Sequence, residues 1–128
     1  MSRIVTIGAG QLGPINRDEG RESVVDRLIV LLEQGAERHC DLIVFPELAL
    51  TTFFPRWYTD EISGHDHYFE TEMPSPVTQR LFDAAVRLKI GFCLGYAELT
   101  PDGERFNTYV LVERNGSIVG KYRKAHIP

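Results

Sequence analysis

The sequence predicts an α/β fold in which helices flank a mixed β-sheet. Two segments with helical spacing of apolar residues alternate with short β-branched runs in the first part of the chain. The run at residues 42–45 is apolar at every position, which is typical of a strand covered on both faces. Asn115-Gly116, between two later β-rich segments, is a strong hairpin signal. The predicted element order is β-α-β-α-β-β-β.

The first three elements follow from the spacing of apolar residues. A β-branched run at residues 4–8 predicts a strand, and the glycine-rich residues 9–19 predict a loop. A helix is predicted over residues 20–39, because apolar side chains recur every three or four positions with charges between them: Val25, Leu28, Ile29, Leu32 and Ala36. The apolar run 42–45 then forms the second strand.

A long irregular segment precedes the second helix. Residues 51–74 are rich in aromatic side chains and interrupted by prolines. Ser75-Pro76 predicts the helix start, because serine caps helices and proline is favoured at the first helical position. The apolar spacing continues to about Lys89.

Three strands complete the predicted sheet. In residues 90–99 bulky side chains alternate with small ones, so a helix is expected to pack closely on the small face, which comprises Gly91, Cys93, Gly95 and Ala97. Residues 105–113 and 117–123 form the two strands of the predicted hairpin.

Composition narrows the functional classes. The 128 residues are 43% hydrophobic and 25% charged, as in ordinary globular domains. A net charge of −4 argues against nucleic-acid binding, because there is no excess of basic side chains to neutralise phosphates. No apolar run reaches membrane-spanning length. Two cysteines without a secretory signal indicate reduced thiols and a cytoplasmic protein.

The segment Gly8-Ala9-Gly10-Gln11-Leu12-Gly13 matches the dinucleotide-binding pattern G-x-G-x-x-G. That pattern binds pyrophosphate only when a helix begins within it. Here Pro14 and Gly20 intervene before the predicted helix. We therefore interpret the segment as a glycine-rich turn rather than a nucleotide site.

Glu47 is the first candidate catalytic residue. It follows Ile43 and Phe45 at two-residue spacing, so it is expected on their face of the strand. The C-terminal end of a buried strand is where open α/β sheets place ligands. A carboxylate there fits a general base, although a helix cap or a partner of an arginine explains its position equally well.

Lys124 is the second candidate. By strand parity it is expected on one face with Ile118, Gly120 and Tyr122, and Lys121 and Arg123 on the other. An ammonium that continues an apolar line needs a carboxylate or a developing anion as its partner. A solvated basic strand end explains the cluster equally well.

Two motifs carry a family resemblance. Residues 44–50, Val-Phe-Pro-Glu-Leu-Ala-Leu, resemble the glutamate motif of the nitrilase superfamily of carbon–nitrogen hydrolases, and residues 120–128 resemble its lysine motif. Residues 105–108 and 115–120 between them strengthen the match. Four further segments narrow the resemblance to the bacterial N-carbamoyl-D-amino acid amidohydrolases: 11–15, 50–57, 70–74 and 91–99.

The resemblance covers the whole chain and implies both a fold and a function. It implies that residues 1–128 are the N-terminal part of a single domain, an α-β-β-α sandwich, in a homo-oligomer without metal or organic cofactor. The implied reaction converts N-carbamoyl-D-amino acids to D-amino acids, CO2 and ammonia. In it Glu47 is the general base, Lys124 stabilises the tetrahedral intermediate, and a cysteine is the nucleophile.

The nucleophile is expected beyond residue 128. Cys40 follows the end of the first predicted helix, where the helix dipole disfavours a thiolate. Cys93 lies on the small face of a strand, where cysteine usually packs. Neither has the sequence surroundings of the family nucleophile.

Other residues permit weaker hypotheses. Four loop residues could ligate a metal by type, although a solvated loop explains them better: Glu61, His65, Asp66 and His67. His126 is expected to position the lysine-motif loop by hydrogen bonding. Three aromatic residues either line a substrate pocket or, as we favour, pack in an interface: Phe53, Phe54 and Trp57.

Two alternatives stay open. Within the enzyme class, a nitrilase or an aliphatic amidase of the same superfamily fits the two motifs. From another class, the chain could be a catalytically inactive interaction module. Such a module would unfold cooperatively, whereas half of a sandwich would expose sheet edges and an apolar face.

Overall fold

The structure, a computed structural model, describes residues 2–127 and contains one five-stranded sheet and two α-helices. Two 3-10 helices, Phe54–Arg56 and Ile62–Tyr68, lie in the long irregular segment. The α/β class and the predicted element order are confirmed. The elements are β1 (Ile7–Ala9), α1 (Arg21–Glu37), β2 (Leu42–Val44), α2 (Gln79–Leu88), β3 (Gly91–Leu99), β4 (Arg105–Val112) and β5 (Ile118–Arg123).

The sheet is mixed, with its strands in sequence order. β1, β2 and β3 are parallel, because α1 and the long segment that ends in α2 return the chain to the same edge each time. β3, β4 and β5 are antiparallel. Gly116 has φ +83° in the turn between β4 and β5, a conformation that glycine adopts without strain, so the hairpin prediction is confirmed.

Both helices pack on the bulky face of β3. Phe92 and Leu94 are fully buried there against α1 and α2, in one cluster with Leu28 and Leu81. The expectation that a helix covers the small face of β3 is wrong for α1 and α2; at the end of that face Phe54 and Tyr68, from the two 3-10 helices, pack on Ala97. Burying a leucine or phenylalanine contributes about 1.5–3 kcal/mol, so the bulky face gains more from helical cover than the glycine-rich face.

Two elements, β1 and α2, begin at least three residues later than predicted. β1 begins at Ile7, and Ile4 is 89% exposed. α2 begins at Gln79, although Ser75 does cap the preceding turn, because its Oγ accepts the Thr78 N–H at 3.2 Å. No helix in residues 2–127 combines the length and apolarity that a membrane span needs.

The glycine-rich segment after β1 has a packing role. A Cβ at Gly10 would lie 2.8 Å from Phe45 Cδ1, so this loop requires glycine to cross the core. α1 begins only at Arg21, well beyond Gly13. No helix N-terminus therefore adjoins the glycines, in agreement with the interpretation of this segment as a turn.

Candidate active site

Glu47 lies at the tip of an outward loop after β2. The Phe45 N–H donates to Cys93 O at 3.0 Å, and the next such bond runs from Ala49 N to Gly95 O at 2.8 Å. A regular parallel strand would place successive bonds two residues apart, whereas four residues separate these. The chain from 45 to 49 therefore leaves the regular hydrogen-bond ladder, bows over the face of β3 at Gly95 and carries Glu47 on the bow.

The predicted orientation of Glu47 is wrong. Ile43 and Phe45 are buried on the helical face, whereas Glu47 lies on the opposite face beside Tyr109. The strand ends at Val44, so two-residue alternation does not extend to Glu47. Its side chain is 35% exposed rather than buried within the described chain.

Lys124 reaches Glu47 from the other end of the sequence. Its backbone N–H donates to Asn107 O at 2.8 Å, which extends the β4–β5 ladder by one residue. Its Nζ donates to Glu47 Oε2 at 3.1 Å, across 77 positions of sequence. The structure therefore brings together the two residues singled out from sequence, although each is about one-third exposed.

The predicted alternation of side chains along β5 is confirmed for residues 120–124. Tyr122 lies opposite Tyr109 on the Glu47 face, and Lys121 and Arg123 both point to the other face, where they bind Glu98. Ile118 does not share the face of Lys124. A bulge between Gly120 and Ile118 pairs Ile118 with Val112 and reverses its side.

Glu98 anchors the basic end of β5 from the far face of the sheet. Its carboxylate accepts hydrogen bonds from Thr108 Oγ1 and Arg123 Nε, each at 2.8 Å, and contacts Lys121 Nζ. Burial alone would raise the pKa of Glu98, but the hydrogen bonds from Arg123, Lys121 and Thr108 outweigh it and lower the pKa to about 2. Glu98 is therefore a fixed anion that holds the two side chains flanking Tyr122.

Glu47 and Lys124 open on a cavity of about 330 Å³, which we call the dyad cavity. Six described residues line it, each with a polar group in its side chain: Glu47, Asn107, Tyr109, Tyr122, Lys124 and His126. The Tyr109 hydroxyl donates to Phe45 O at 2.5 Å and so fixes one end of the Glu47 loop. Burial, followed by the nearby Cys93 and Glu47, raises the pKa of Tyr109, so the hydroxyl stays a donor.

His126 borders the dyad cavity, and the positioning hydrogen bond predicted for its imidazole is not formed within residues 2–127. Sequence patterns do not single out Tyr109, because it looks like an ordinary strand tyrosine until β4 is paired with β3 and places it opposite Gly95.

A second cavity of about 550 Å³ shares Glu47 with the first. It lies between the loop after β1 and the residues that follow the Glu47 loop. Two arginines that sequence patterns did not single out, Arg17 and Arg56, line it with Trp57. We call it the arginine cavity.

Neither cysteine belongs to the dyad cavity as described. Cys93 is half-buried in β3, and burial raises the pKa of its thiol, which opposes thiolate formation. Cys40 lies after α1 and next to Gly8, at the end of the parallel strands away from Glu47. Their placement agrees with packing roles.

Two of the four loop residues considered as metal ligands, Asp66 and His67, have other partners. Asp66 accepts two hydrogen bonds from Arg105, at 2.7 and 2.8 Å, and these lower the pKa of its carboxyl. His67 packs on Tyr68 with ring centroids 3.9 Å apart. In the part of the chain that the structure describes, no three His, Cys, Asp or Glu side chains are grouped to hold a metal ion.

The aromatic residues of the long segment divide between two roles. Phe54 is buried and stacks on Tyr68 at 4.8 Å, so it packs inside this chain, which is neither of the two roles considered from sequence. Phe53 is 41% exposed and, like Trp57, lines the arginine cavity.

Comparison with known sequences links this arrangement to one family. The family model described as carbon-nitrogen hydrolase matches residues 6–128. An aliphatic nitrilase from Rhodococcus rhodochrous is 26% identical over 125 residues, which are 92% of this chain and 33% of that protein. A formamidase from Bacillus cereus is 34% identical over 88 residues, 66% of this chain and 24% of that protein.

Solved structures share the fold. A carbon–nitrogen hydrolase from Helicobacter pylori G27 has a TM-score of 0.75 at 25% identity, covering 97% of this chain and 40% of that one. Saccharomyces cerevisiae Nit3, a member of branch 10 of the nitrilase superfamily, has a TM-score of 0.76 at 22% identity, covering 95% and 44%. The chain thus spans less than half the length of these proteins.

Proposed function

The chain belongs to the carbon–nitrogen hydrolase family, the nitrilase superfamily, and from this premise we propose that it forms part of an amidohydrolase acting on N-carbamoyl-D-amino acids. The reaction would release the D-amino acid, CO2 and ammonia. The observation that carries the proposal is the 3.1 Å contact between Lys124 Nζ and Glu47 Oε2 beside a cavity. The nitrilase and formamidase relatives support the broader class, and the substrate rests on the resemblance of segments such as 50–57.

The pair suits the two demands of amide cleavage by a thiol. A free thiol has a pKa of about 8.5, so a base must take its proton at neutral pH. Glu47 Oε1 accepts no hydrogen bond within residues 2–127, which leaves it available for that proton, while Oε2 is held by Lys124. Glu47 would then return the proton to the leaving nitrogen and later activate water.

Lys124 meets the second demand, which is stabilisation of the oxyanion. Attack on the carbamoyl carbon places a negative charge on the carbonyl oxygen, and an ammonium beside the base stabilises that charge. Removing one such donor typically costs about 100- to 1,000-fold in rate. The ladder bond from Lys124 N to Asn107 O fixes the backbone at this residue, so its Nζ is positioned before the reaction.

We propose that the nucleophilic cysteine comes from outside residues 1–128. Neither Cys40 nor Cys93 lines the dyad cavity, and the relatives are more than twice as long as the matched region. On this proposal residues 1–128 are the N-terminal part of a single sandwich domain in a cytoplasmic homo-oligomer. The face of β2 to β5 that the helices leave open would then receive the remaining layers.

Two alternatives are distinguished by substrate. The similarity to a nitrilase supports a nitrile as the substrate of this protein, and the similarity to a formamidase supports formamide. An inactive interaction module would turn over none of them.

The test is ammonia release by the protein expressed from its whole coding region, with N-carbamoyl-D-alanine, its L-enantiomer, formamide and an aliphatic nitrile. We expect the D-carbamoyl substrate to be preferred by about tenfold or more in kcat/KM, roughly the discrimination one pocket supplies. Preference for the nitrile or formamide would replace the proposed substrate, and no turnover would favour the module. The chain of residues 1–128 alone should be inactive; turnover by it, abolished by Glu47→Gln, would contradict an external nucleophile.

A further inference from the structure

We infer that Arg17 and Arg56 in the arginine cavity bind a carboxylate group of the substrate. The inference rests on the proposed function, because it identifies the substrate as an amide that carries an anionic group. It names a recognition site separate from the residues that act on the C–N bond.

The two guanidinium groups lie at one indole ring. Arg17 Cζ is 4.7 Å and Arg56 Cζ is 5.8 Å from the ring centroid of Trp57. A guanidinium packed against an aromatic ring is oriented by it and keeps its N–H edge available for an anion. Arg56 uses its Nε for a hydrogen bond to Phe53 O at 3.3 Å, which further restrains the side chain and leaves its terminal nitrogens for a ligand.

These arginines lack the partners that others in this protein have. Within residues 2–127 neither Arg17 nor Arg56 forms an ion pair. Six other arginines each bind a carboxylate: Arg21, Arg27, Arg80, Arg87, Arg105 and Arg123. Among the described residues Arg3, Arg38 and Arg114 also form no ion pair, so Arg17 and Arg56 are distinguished by lying together at one cavity and one indole ring.

The charge of the cavity lining favours an anion. Of the described lining residues, Glu47 is the sole carboxylate, and Lys124 already compensates it. The remaining polar lining is neutral and includes Asn16 and Thr52. Thr51, also in this wall, is 94% buried, and its hydroxyl has no hydrogen-bond partner among the described residues.

A carboxylate on a small substrate fits the position of the arginine cavity, because Glu47 lines both cavities. On this inference the amide group contacts Glu47 and Lys124, and the carboxylate lies on the arginine side of Glu47. A guanidinium binds the two oxygens of a carboxylate through parallel hydrogen bonds. The site would therefore separate N-carbamoyl amino acids from neutral amides of the same size.

Trp57 provides the readout, because it is the one tryptophan in the 128 residues. The chain, at sub-micromolar concentration, is titrated with N-carbamoyl-D-alanine and with its neutral amide, N-carbamoyl-D-alaninamide, while tryptophan fluorescence is followed. We expect the carboxylate to bind about tenfold more tightly than the amide, with an affinity that falls as salt is added. Arg17→Gln and Arg56→Gln should each weaken carboxylate binding about tenfold and leave amide binding unchanged.

Arg114→Gln is the matched control, since Arg114 is exposed in the turn at the opposite end of β5. Circular dichroism checks that each variant keeps the fold. Equal affinity for the two ligands, Arg17→Gln and Arg56→Gln behaving like Arg114→Gln, or no saturable response by fluorescence and calorimetry would each overturn the inference. Binding does not require turnover, so an inactive longer protein would refute the proposed function and leave this result standing.

Discussion

Glu47 owes its position to two neighbours rather than to the strand that precedes it. Tyr109 holds the start of the loop through the 2.5 Å bond to Phe45 O, and Gly95 lets the loop approach β3. A Cβ at Gly95 would lie 2.9 Å from the ring of Tyr109 and 3.4 Å from Glu47 Cα. These contacts explain how an irregular loop can present a carboxylate at a fixed place.

The Tyr109 hydroxyl gives the first prediction. Tyr109→Phe removes the donor to Phe45 O, and an unsatisfied buried carbonyl costs about 1–3 kcal/mol. The free energy of unfolding in urea should fall by that amount. Tyr58→Phe, at a residue 89% exposed, should leave it unchanged. Equal effects of the two changes would show that the hydroxyl does not hold the loop.

The close contact at Gly95 gives the second prediction. Gly95→Ala forces a methyl group into the ring of Tyr109, and overpacking of this kind costs about 1–3 kcal/mol. Gly120→Ala is the matched change on the same face, because its Cβ would meet Leu111 Cβ at an ordinary 3.6 Å. Thermal unfolding should show a lower midpoint for Gly95→Ala alone. A similar midpoint for both variants would contradict the close approach.

The structure brings together the two residues that the sequence singled out, but the reasoning for one of them was wrong. Glu47 contacts Lys124, whereas its face was inferred from an alternation that ends at Val44. No local sequence pattern predicts that the chain bows between residues 45 and 49. The bow depends on which β3 carbonyls accept hydrogen bonds from this segment, and that is determined only when the sheet has assembled.

Among the elements, β5 separates its charges across the sheet. Lys121 and Arg123 bind Glu98 on one face, and Tyr122 and Lys124 line the dyad cavity on the other. Alternation predicted this division from sequence. The bulge that moves Ile118 to the other face could not be predicted, because a bulge depends on pairing with β4.

Glu98 makes the stability of this strand end dependent on pH. Its pKa is lowered from 4.5 to about 2, so its contribution is complete above pH 4.5 and is lost as the pH falls toward 2. A shift of that size corresponds to about 3 kcal/mol. Glu98→Gln should therefore destabilise the protein at pH 7, and its difference from the wild type should shrink between pH 4.5 and 2.

Urea unfolding at a series of pH values measures this difference. Glu113→Gln, at an exposed position in the hairpin, should show no such trend. A difference between Glu98→Gln and the wild type that stays constant down to pH 2 would mean that Glu98 is not held as a carboxylate by Lys121 and Arg123.

For the whole molecule, element order and fold class followed from sequence because periodicity and turn chemistry are local. The arrangement of helices and sheet in layers could not be predicted from the sequence. Both α-helices cover the bulky face of β3, which leaves the small face to Tyr109, the Glu47 loop and, at Ala97, the two 3-10 helices. That choice places the dyad cavity on the face away from the helices, where Val44 and Leu111 are 37% and 39% exposed. The remaining layers of the proposed sandwich would cover these side chains.

Glu47 and Lys124 are proposed to act as one catalytic unit. The most direct test of this proposal is kcat/KM for N-carbamoyl-D-alanine in the protein expressed from its whole coding region, with Glu47→Gln, Lys124→Met and the double variant. Each single change should cost about 100- to 1,000-fold, and the double change little more than either, because groups that act together are not additive. Single variants within a few-fold of the wild type, or a double loss equal to the product of the single losses, would contradict the proposal.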